Sequence, residues 1–282
     1  MRPVTVQVGP LVAASASNIC AAQTIPSGGG TLALNGTLAS SSFVGTGSIA
    51  GNVLTISAVT SGVLNRGNLL NGLGVQPLTT PIGVLVSTTN GVGTYVVNVS
   101  QTVSSTTIYG NTVVTLDTPR RIIITSGGND SGVTFTLTGL DWANTPISEV
   151  VTGANVGVAS SVLDYASLTS IVASGATAST ITVGTNGVAA SPWVRFDEYA
   201  LGPMGAQFSV TGTVNFSLQT DFSDVDGNRA GVVWDTSAST VVNATTTTTA
   251  ALAACPKWAR VLLNSGTGSV SATFIQYGVA PV

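Results

Sequence analysis

Residues that could support acid–base or nucleophilic chemistry are scarce in this sequence. Its 282 residues include no histidine and two cysteines, and Lys257 is the single lysine. Without histidine, the chain can form neither a Ser–His–Asp or Cys–His nucleophile pair nor a histidine-ligated zinc site. Acid–base chemistry would depend on carboxylates, tyrosines or Lys257. The sequence therefore predicts a protein that is not an enzyme and that uses no cofactor.

The two cysteines, Cys20 and Cys255, lie far apart in the chain and belong to no C-x-x-C motif. This spacing argues against a thiolate metal cluster. A single disulfide between them and two free buried thiols are both compatible with the sequence.

The densest acidic group is formed by Asp221, Asp224 and Asp226, with Gly227 directly after it. Oxygen-rich loops with a glycine at the turn bind calcium, so these three carboxylates are the candidate metal ligands. The twelve-residue calcium-loop pattern is absent, and no glutamate closes the loop. These departures favour a polar loop between two strands, without a bound metal.

Asp197 and Glu198 form a second carboxylate pair. Glycoside hydrolysis needs two carboxyl groups facing each other across a sugar. Adjacent residues of a strand point to opposite faces, so these two side chains could share a site only at a bulge. We therefore do not expect catalysis at this pair.

Arg120 and Arg121, which follow Pro119, could clamp a phosphate or carboxylate with two guanidinium groups. The alternative is a solvated strand start in which one arginine forms a structural ion pair, and we favour this second interpretation.

Four tryptophans could stack on sugar rings: Trp142, Trp193, Trp234 and Trp258. They are scattered along the chain, and Trp193 and Trp234 fall in predicted strands. Packing in the core or at an interface is therefore the expected role of all four.

Charge is the most unusual property of the composition. Only 7% of the residues are charged, against roughly 25% in ordinary soluble proteins, and the net charge is −3. The chain has no basic excess for binding nucleic acid, and its 44% hydrophobic content argues against disorder. A neutral surface rich in Thr, Ser, Asn and Gly suits burial in a large static assembly, since free soluble proteins usually depend on charge for solubility.

No stretch reaches the ~18 apolar residues of a membrane span, and no secretory signal is evident at the N-terminus. We expect a protein that is made in a cytoplasm, is not exported by the classical route and contacts no membrane.

Apolar and polar residues alternate with a period of two along most of the chain. The clearest run extends from Phe208 to Leu218 and predicts a single strand with one buried face. Short alternating segments separated by glycine-rich turns predict an all-β fold of sandwich or jelly-roll type. Further strands are predicted at 4–8, 120–126, 133–138, 147–152, 180–183, 193–197, 231–235, 259–263 and 270–277. One short stretch, 157–173, could be helical.

Charge also indicates where the chain divides, because Arg66 is the only charged residue between Pro3 and Leu116. Segments 31–34 and 113–116 both resemble strands, and we expect them to pair as a hairpin with the residues between them inserted at its tip. The predicted organisation has three parts. They are an N-terminal β-sandwich of residues 1–44 plus 111–190, an inserted β module of residues 45–110, and a C-terminal β-sandwich of residues 191–282 that either stands alone or merges with the first.

The inserted segment carries regularly spaced glycine motifs. They are Gly-Ser-Ile-x-Gly-x-x-Leu-Thr (47–55), Ser61-Gly62-x-Leu64, Gly67-x-x-Leu70-x-Gly72-x-Gly74-Val75, Gly93-Thr94-Tyr95-x-Val97 and Ser100-Gln101-Thr102-Val103. With these motifs the segment resembles a repeat-type β module found in virion and fibre proteins of tailed phages and in related bacterial surface proteins. The resemblance makes a host-surface glycan one candidate partner of residues 45–110.

Two segments outside the module, LDTPRRIIIT (116–125) and RVLLNSGTGSV (260–270), are similar to uncharacterised structural proteins of short-tailed phages. We group these with capsid decoration (cement) proteins or head–tail components. The resemblance implies a place in the virion and supplies no catalytic residues.

The expected function is that of a non-enzymatic virion structural protein, a decoration protein on the capsid surface. Its expected partners are the major capsid protein and copies of itself, and no nucleic acid. The alternatives are a tail or fibre component, and a glycan-binding adhesin or a carboxylate-only depolymerase.

Overall fold

A computed structural model describes residues 3–87, 91–197, 203–223, 231–236, 241–253 and 255–276. Within these ranges the chain forms twenty β-strands and no α-helix, and all the strand pairs are antiparallel. The prediction of an all-β fold is therefore confirmed. None of the described segments is a helix long and apolar enough to cross a membrane.

The first ten strands are β1 (Val4–Val8), β2 (Ser15–Gln23), β3 (Gly30–Thr31), β4 (Ala39–Ser40), β5 (Phe43–Gly62), β6 (Leu70–Gly72), β7 (Pro81–Ser87), β8 (Gly93–Gly110), β9 (Val113–Asn129) and β10 (Thr134–Leu140). The others are β11 (Pro146–Thr152), β12 (Asn155–Ser160), β13 (Tyr165–Ala173), β14 (Ile181–Ala190), β15 (Val194–Arg195), β16 (Met204–Thr211), β17 (Val214–Asp221), β18 (Thr248–Leu252), β19 (Trp258–Gly266) and β20 (Ser269–Gln276). They form two four-stranded sheets and one twelve-stranded sheet.

The N-terminal lobe surrounds a core contributed mainly by β2, β9, β10, β13 and β14. Their inward residues, among them Ile122, Ile124, Phe135 and Leu137, are fully buried, as the period-two pattern requires. Residues 157–173 also belong to this lobe and form β12 and β13. The suggested helix there is wrong, because Leu168 and Ile171 pack into the sheet core.

The C-terminal lobe packs the sheet β1-β20-β16-β18 over β17 and β19, with Phe208, Phe216 and Phe274 in the core between them. The single strand predicted from Phe208 to Leu218 is in fact two, because the chain turns at Gly212 (φ 77°) and changes sheets. The alternation continues across the turn since both strands direct the same set of residues into one shared core. This confirms the sandwich-like arrangement of an all-β protein.

Hydrogen bonds join the two lobes. Strand β14 pairs with β9 in the N-terminal lobe and, through Ala189 and Ala190, with β19 in the C-terminal lobe. The first strand also crosses the boundary suggested by the sequence: Val4–Val8 pairs with β20, and Val8 is buried in the C-terminal core rather than in the N-terminal one.

Residues 43–110 form a separate sheet, β5-β8-β6 with β7 also paired to β8, around a core of their own. The chain enters and leaves this module side by side, because Ala39 pairs with Val114 and the Ser42 amide donates to the Gly110 carbonyl. The predicted hairpin between 31–34 and 113–116 is wrong, because the two segments do not pair: β3 pairs with β13, and Val113 and Val114 pair with β4. Segment 31–34 is held by the module, since the Leu34 amide donates to Asn71 Oδ1 at 2.8 Å.

Both described cysteines are free thiols. Cys20 is fully buried in the N-terminal core, and Cys255 packs beside the C-terminal core, so the alternative of two free thiols holds. Burial raises the pKa of the Cys20 thiol far above its ordinary value. Burial also raises the pKa of the neighbouring core residue Tyr165, with a smaller contribution from the charge of Glu149.

Alkaline pH is expected to destabilise the protein through Cys20 and Tyr165. The unfolded chain releases these protons near pH 9.0 and 10.0, whereas the folded chain retains them to higher pH. Their stabilising contribution is therefore complete below pH 9 and is lost as the pH rises further, by about 1.4 kcal/mol per pH unit for each group.

Urea unfolding at pH 8 to 11 measures this loss of stability. The Cys20→Ala variant should lose stability less steeply above pH 9, and a slope equal to that of the unmodified chain would contradict the assignment.

Candidate binding cleft

Arg120 and Arg121 lie in the middle of β9, not at the solvated strand start that the sequence suggested, and their environments differ. Arg120 is completely buried, and its guanidinium donates to the carbonyls of Val12 and Asn186 and to Asp117 at 3.2 Å. It joins three chain segments, so the structural ion pair is the correct interpretation for this residue. Arg121, by contrast, keeps about a third of its side chain exposed, 31%, and lines a cleft.

The cleft has a volume of about 260 Å³ and lies where the two lobes meet. One wall comes from the N-terminal lobe, from β9 and from the turns that follow β10 and β12. The opposite wall comes from β17, β19 and the segment 231–236. The polar residues of the lining are Arg121, Asp141, Asp164, Gln219 and Arg260. A cleft between lobes is a common place for a ligand site.

Three of the four tryptophans line this cleft, and Trp193 is the centre of the group. Its ring centroid lies 6.3 Å from that of Trp142, 4.9 Å from that of Trp234 and 5.8 Å from that of Trp258. The four were expected to pack in the core or at an interface, and Trp142, Trp193 and Trp234, which are only partly buried, pack on one another where the lobes meet. Turns and connections distant in sequence bring them together. Trp258 is buried and packs behind Trp193.

A buried ion pair forms the base of the cleft. Arg260 donates through Nη1 to Asp164 Oδ2 at 2.5 Å and through Nε to Gln219 Oε1 at 2.9 Å. Its guanidinium also stacks on Trp234, with 4.3 Å between Cζ and the ring centroid. Burial lowers the pKa of Arg260, while the carboxylate of Asp164 opposes this effect. The pair is therefore structural and holds the ring of Trp234 in place.

Several polar atoms at the cleft have no hydrogen-bond partner among the described residues. Asp164 Oδ1 and Arg121 Nε are 3.8 Å apart, which is an ion-pair distance but too long for a hydrogen bond. The indole Nε1 of Trp234 is buried and likewise donates to no acceptor within the described part of the chain. Buried polar groups normally have hydrogen-bond partners. These three atoms could therefore form hydrogen bonds with a ligand in the cleft.

The acidic group proposed as a weak metal site is only partly described. Asp221 ends β17, and its carboxylate accepts the backbone amide and hydroxyl of Ser223 at 2.9 and 2.8 Å. Asp224 and Asp226 lie outside the described residues. Across the ranges given above, no three His, Cys, Asp or Glu side chains are arranged to hold a metal ion.

The carboxylate pair Asp197 and Glu198 is also only partly described, because Glu198 lies outside the described residues. Asp197 is joined to β20 through its backbone: its amide donates to Gln276 Oε1 at 3.0 Å, and Gln276 Nε2 donates to its carbonyl at 2.6 Å. This backbone exchange places Asp197 beside the C-terminal core, and it does not line the cleft.

Sequence reasoning missed Asp164, Gln219 and Arg260. One signal was present for Arg260, which stands in the apolar run WARVLL (258–263), where an exposed strand would show alternation. An arginine in such a run needs a buried partner. Nothing in the sequence pointed to Asp164, because its role depends on a turn from the other lobe.

Fold and cleft together define an all-β protein of antiparallel sheets with an aromatic cleft between two lobes. Comparisons with protein-family models, curated proteins and solved structures gave no match to this chain.

Proposed function

We propose that this chain is a non-enzymatic structural protein of a virion, most simply a decoration protein that bridges major capsid subunits. The observation that carries the proposal is the neutrality of the surface. Six of its few charged residues are buried: Arg120, Asp130, Asp141, Asp221, Lys257 and Arg260. In the part of the chain that the structure describes, few charged residues therefore remain exposed, and contact with a partner there would desolvate few charges.

The module of residues 43–110 carries a surface suited to such contacts. Strand β7 pairs on one side with β8, and its residues Ile82, Val84, Leu85 and Val86 are all exposed. A soluble monomer usually protects an edge strand of this kind with charge or proline. Addition of a partner strand would satisfy the edge and bury these apolar side chains.

Attachment to the particle is expected to survive about 1 M NaCl and to be lost in urea. Salt screens exposed ion pairs within a few ångströms at that concentration but leaves apolar contacts intact or stronger. Co-sedimentation of the protein with particles across a salt series measures this. Release at moderate salt would indicate an electrostatic clamp and would contradict the proposal.

Matched variants locate the contact. Val84→Lys places a charge in β7 and should weaken attachment, whereas Val63→Lys should not. Val63 is equally exposed (61% against 58%) and belongs to the same module, but lies outside the strands. Equal attachment of both variants would exclude β7 as the contact. Arg120 and Lys257 are buried and so are unsuitable for testing surface charge.

A tail or fibre component is the alternative within the same class of protein. A copy number close to that of the major capsid protein supports decoration, and a small fixed number per particle supports the tail. A reconstruction of the particle by electron microscopy distinguishes the two.

A further inference from the structure

We infer that the cleft between the two lobes binds a neutral carbohydrate, one or two sugar rings in size. This goes beyond the proposed structural role and assigns the site to the lobes rather than to the module of residues 43–110. The inference depends on three observations: the aromatic lining, the balance of charge in the cleft and the unused polar atoms at its base.

The aromatic lining favours a ligand with flat apolar faces. Trp142, Trp193 and Trp234 approach from three different segments and remain partly exposed at the cleft. The C–H faces of a pyranose ring are electropositive and pack against the electron-rich faces of indoles. A cleft of about 260 Å³ is slightly below the ~300–1,000 Å³ of sites for drug-sized ligands, which suits a short saccharide.

The charges of the lining balance, which favours a neutral ligand. Arg121 and Arg260 face Asp141 and Asp164 in the same small space. An anionic ligand would approach two buried carboxylates, and a cationic ligand would approach two guanidinium groups. Asp141 is further committed to its own turn, where Oδ1 accepts the amides of Ala143 and Thr145 at 2.8 Å each.

The unused polar atoms match hydroxyl groups. A hydroxyl can donate to Asp164 Oδ1 and accept from Arg121 at the same time, which neither an ether nor a hydrocarbon can do. The two groups are 3.8 Å apart at their nearest atoms, so a modest rotation of the partly exposed Arg121 admits an oxygen between them. Arg260 keeps Asp164 in place during such a change, because it holds the other carboxylate oxygen.

The test is binding of saccharides to the purified protein, without particles. The probes are neutral gluco-, galacto- and manno-oligosaccharides of one to four rings and the matching uronate oligosaccharides. Tryptophan fluorescence and calorimetry report binding, because three of the four tryptophans line the cleft. At least one neutral series is expected to bind, while the uronates should bind at least tenfold more weakly.

Arg121→Ala and Trp142→Ala should each weaken binding at least tenfold. Their controls are Arg66→Ala and Phe222→Ala, an exposed arginine and an exposed phenylalanine that do not line the cleft. Thermal unfolding of every variant separates loss of binding from loss of folding. Absence of binding by all neutral probes at about 10 mM, preferred binding of uronates, or equal binding by the cleft variants and the controls would each overturn the inference.

Particle attachment of Arg121→Ala is expected to be unchanged. Failure of the sugar-binding inference would therefore not count against the proposed structural function, which the co-sedimentation experiment tests separately.

Discussion

Replacement of Asp164 by alanine is expected to lower the free energy of unfolding by about 3–5 kcal/mol. Asp164 is the carboxylate partner of Arg260, and both side chains are nearly completely buried, with 5% and 2% exposure. Without it, the guanidinium of Arg260 is left charged with only 2% of its side chain exposed, and the remaining acceptor, Gln219, is neutral. Urea unfolding of the variant measures the loss.

Two further variants show whether the loss arises from the unpaired charge. Asp117→Ala removes the carboxylate partner of Arg120, which still has the carbonyls of Val12 and Asn186, so a smaller loss is expected. The double variant Asp164→Leu, Arg260→Met removes both charges and should be more stable than the sum of the single losses predicts. A loss below about 1 kcal/mol in Asp164→Ala would mean that water reaches Arg260.

Gly184→Ala is expected to destabilise the N-terminal lobe by about 3 kcal/mol or more. A Cβ atom at position 184 would lie 1.8 Å from the carbonyl oxygen of Ser15 and 2.6 Å from the carbonyl carbon of Ala16. Both are backbone atoms of β2, so no side-chain rotation can relieve the overlap. Strand β2 must move away from β14, which disturbs the burial of Ile19 and Cys20.

Gly187→Ala is the matched control in the same strand. Apart from Gly187 itself and its two chain neighbours, none of the described residues has a heavy atom within 4 Å of the position of a Cβ at Gly187, and its φ is not in the left-handed region. The substitution should change the free energy of unfolding by no more than about 1 kcal/mol in either direction. Equal effects of the two variants would show that contact with Ser15 is not the cause.

Some of the few charged residues connect distant parts of the fold. Arg260 and Asp164 connect β19 with the turn before β13, and Arg120 connects β9 with the N-terminal segment and β14. Arg260 thereby joins the two lobes, and Arg120 fastens the N-terminal segment at Val12 to the sheet formed by β9 and β14. These buried charged residues thus contribute to the fold and are not available for contacts at the surface.

The period-two alternation of the sequence determines by itself where many of the strands lie. The alternation at Val4–Val8, at 133–138 and around Phe216 predicts strands that the protein forms, because a strand places alternate side chains on opposite faces whatever its neighbours are. The same rule cannot show that Gly212 divides the run from Phe208 to Leu218, since both sheets direct the same residues into one core. The local alternation shows which residues are buried, but it does not show to which of the two sheets they belong.

Only the tertiary structure decided the pairing of segments and the composition of the cleft. Val4–Val8 pairs with β20 at the far end of the chain, and segment 231–235, predicted as a strand, contributes Trp234 to the cleft and a single bridge between Asp235 and Thr220. Strand pairing depends on which edges remain free after the other strands have packed. For the same reason, the tryptophans appear scattered in the sequence, yet three of them meet at one cleft, where turns from both lobes bring their rings within reach of Asp164 and Arg260.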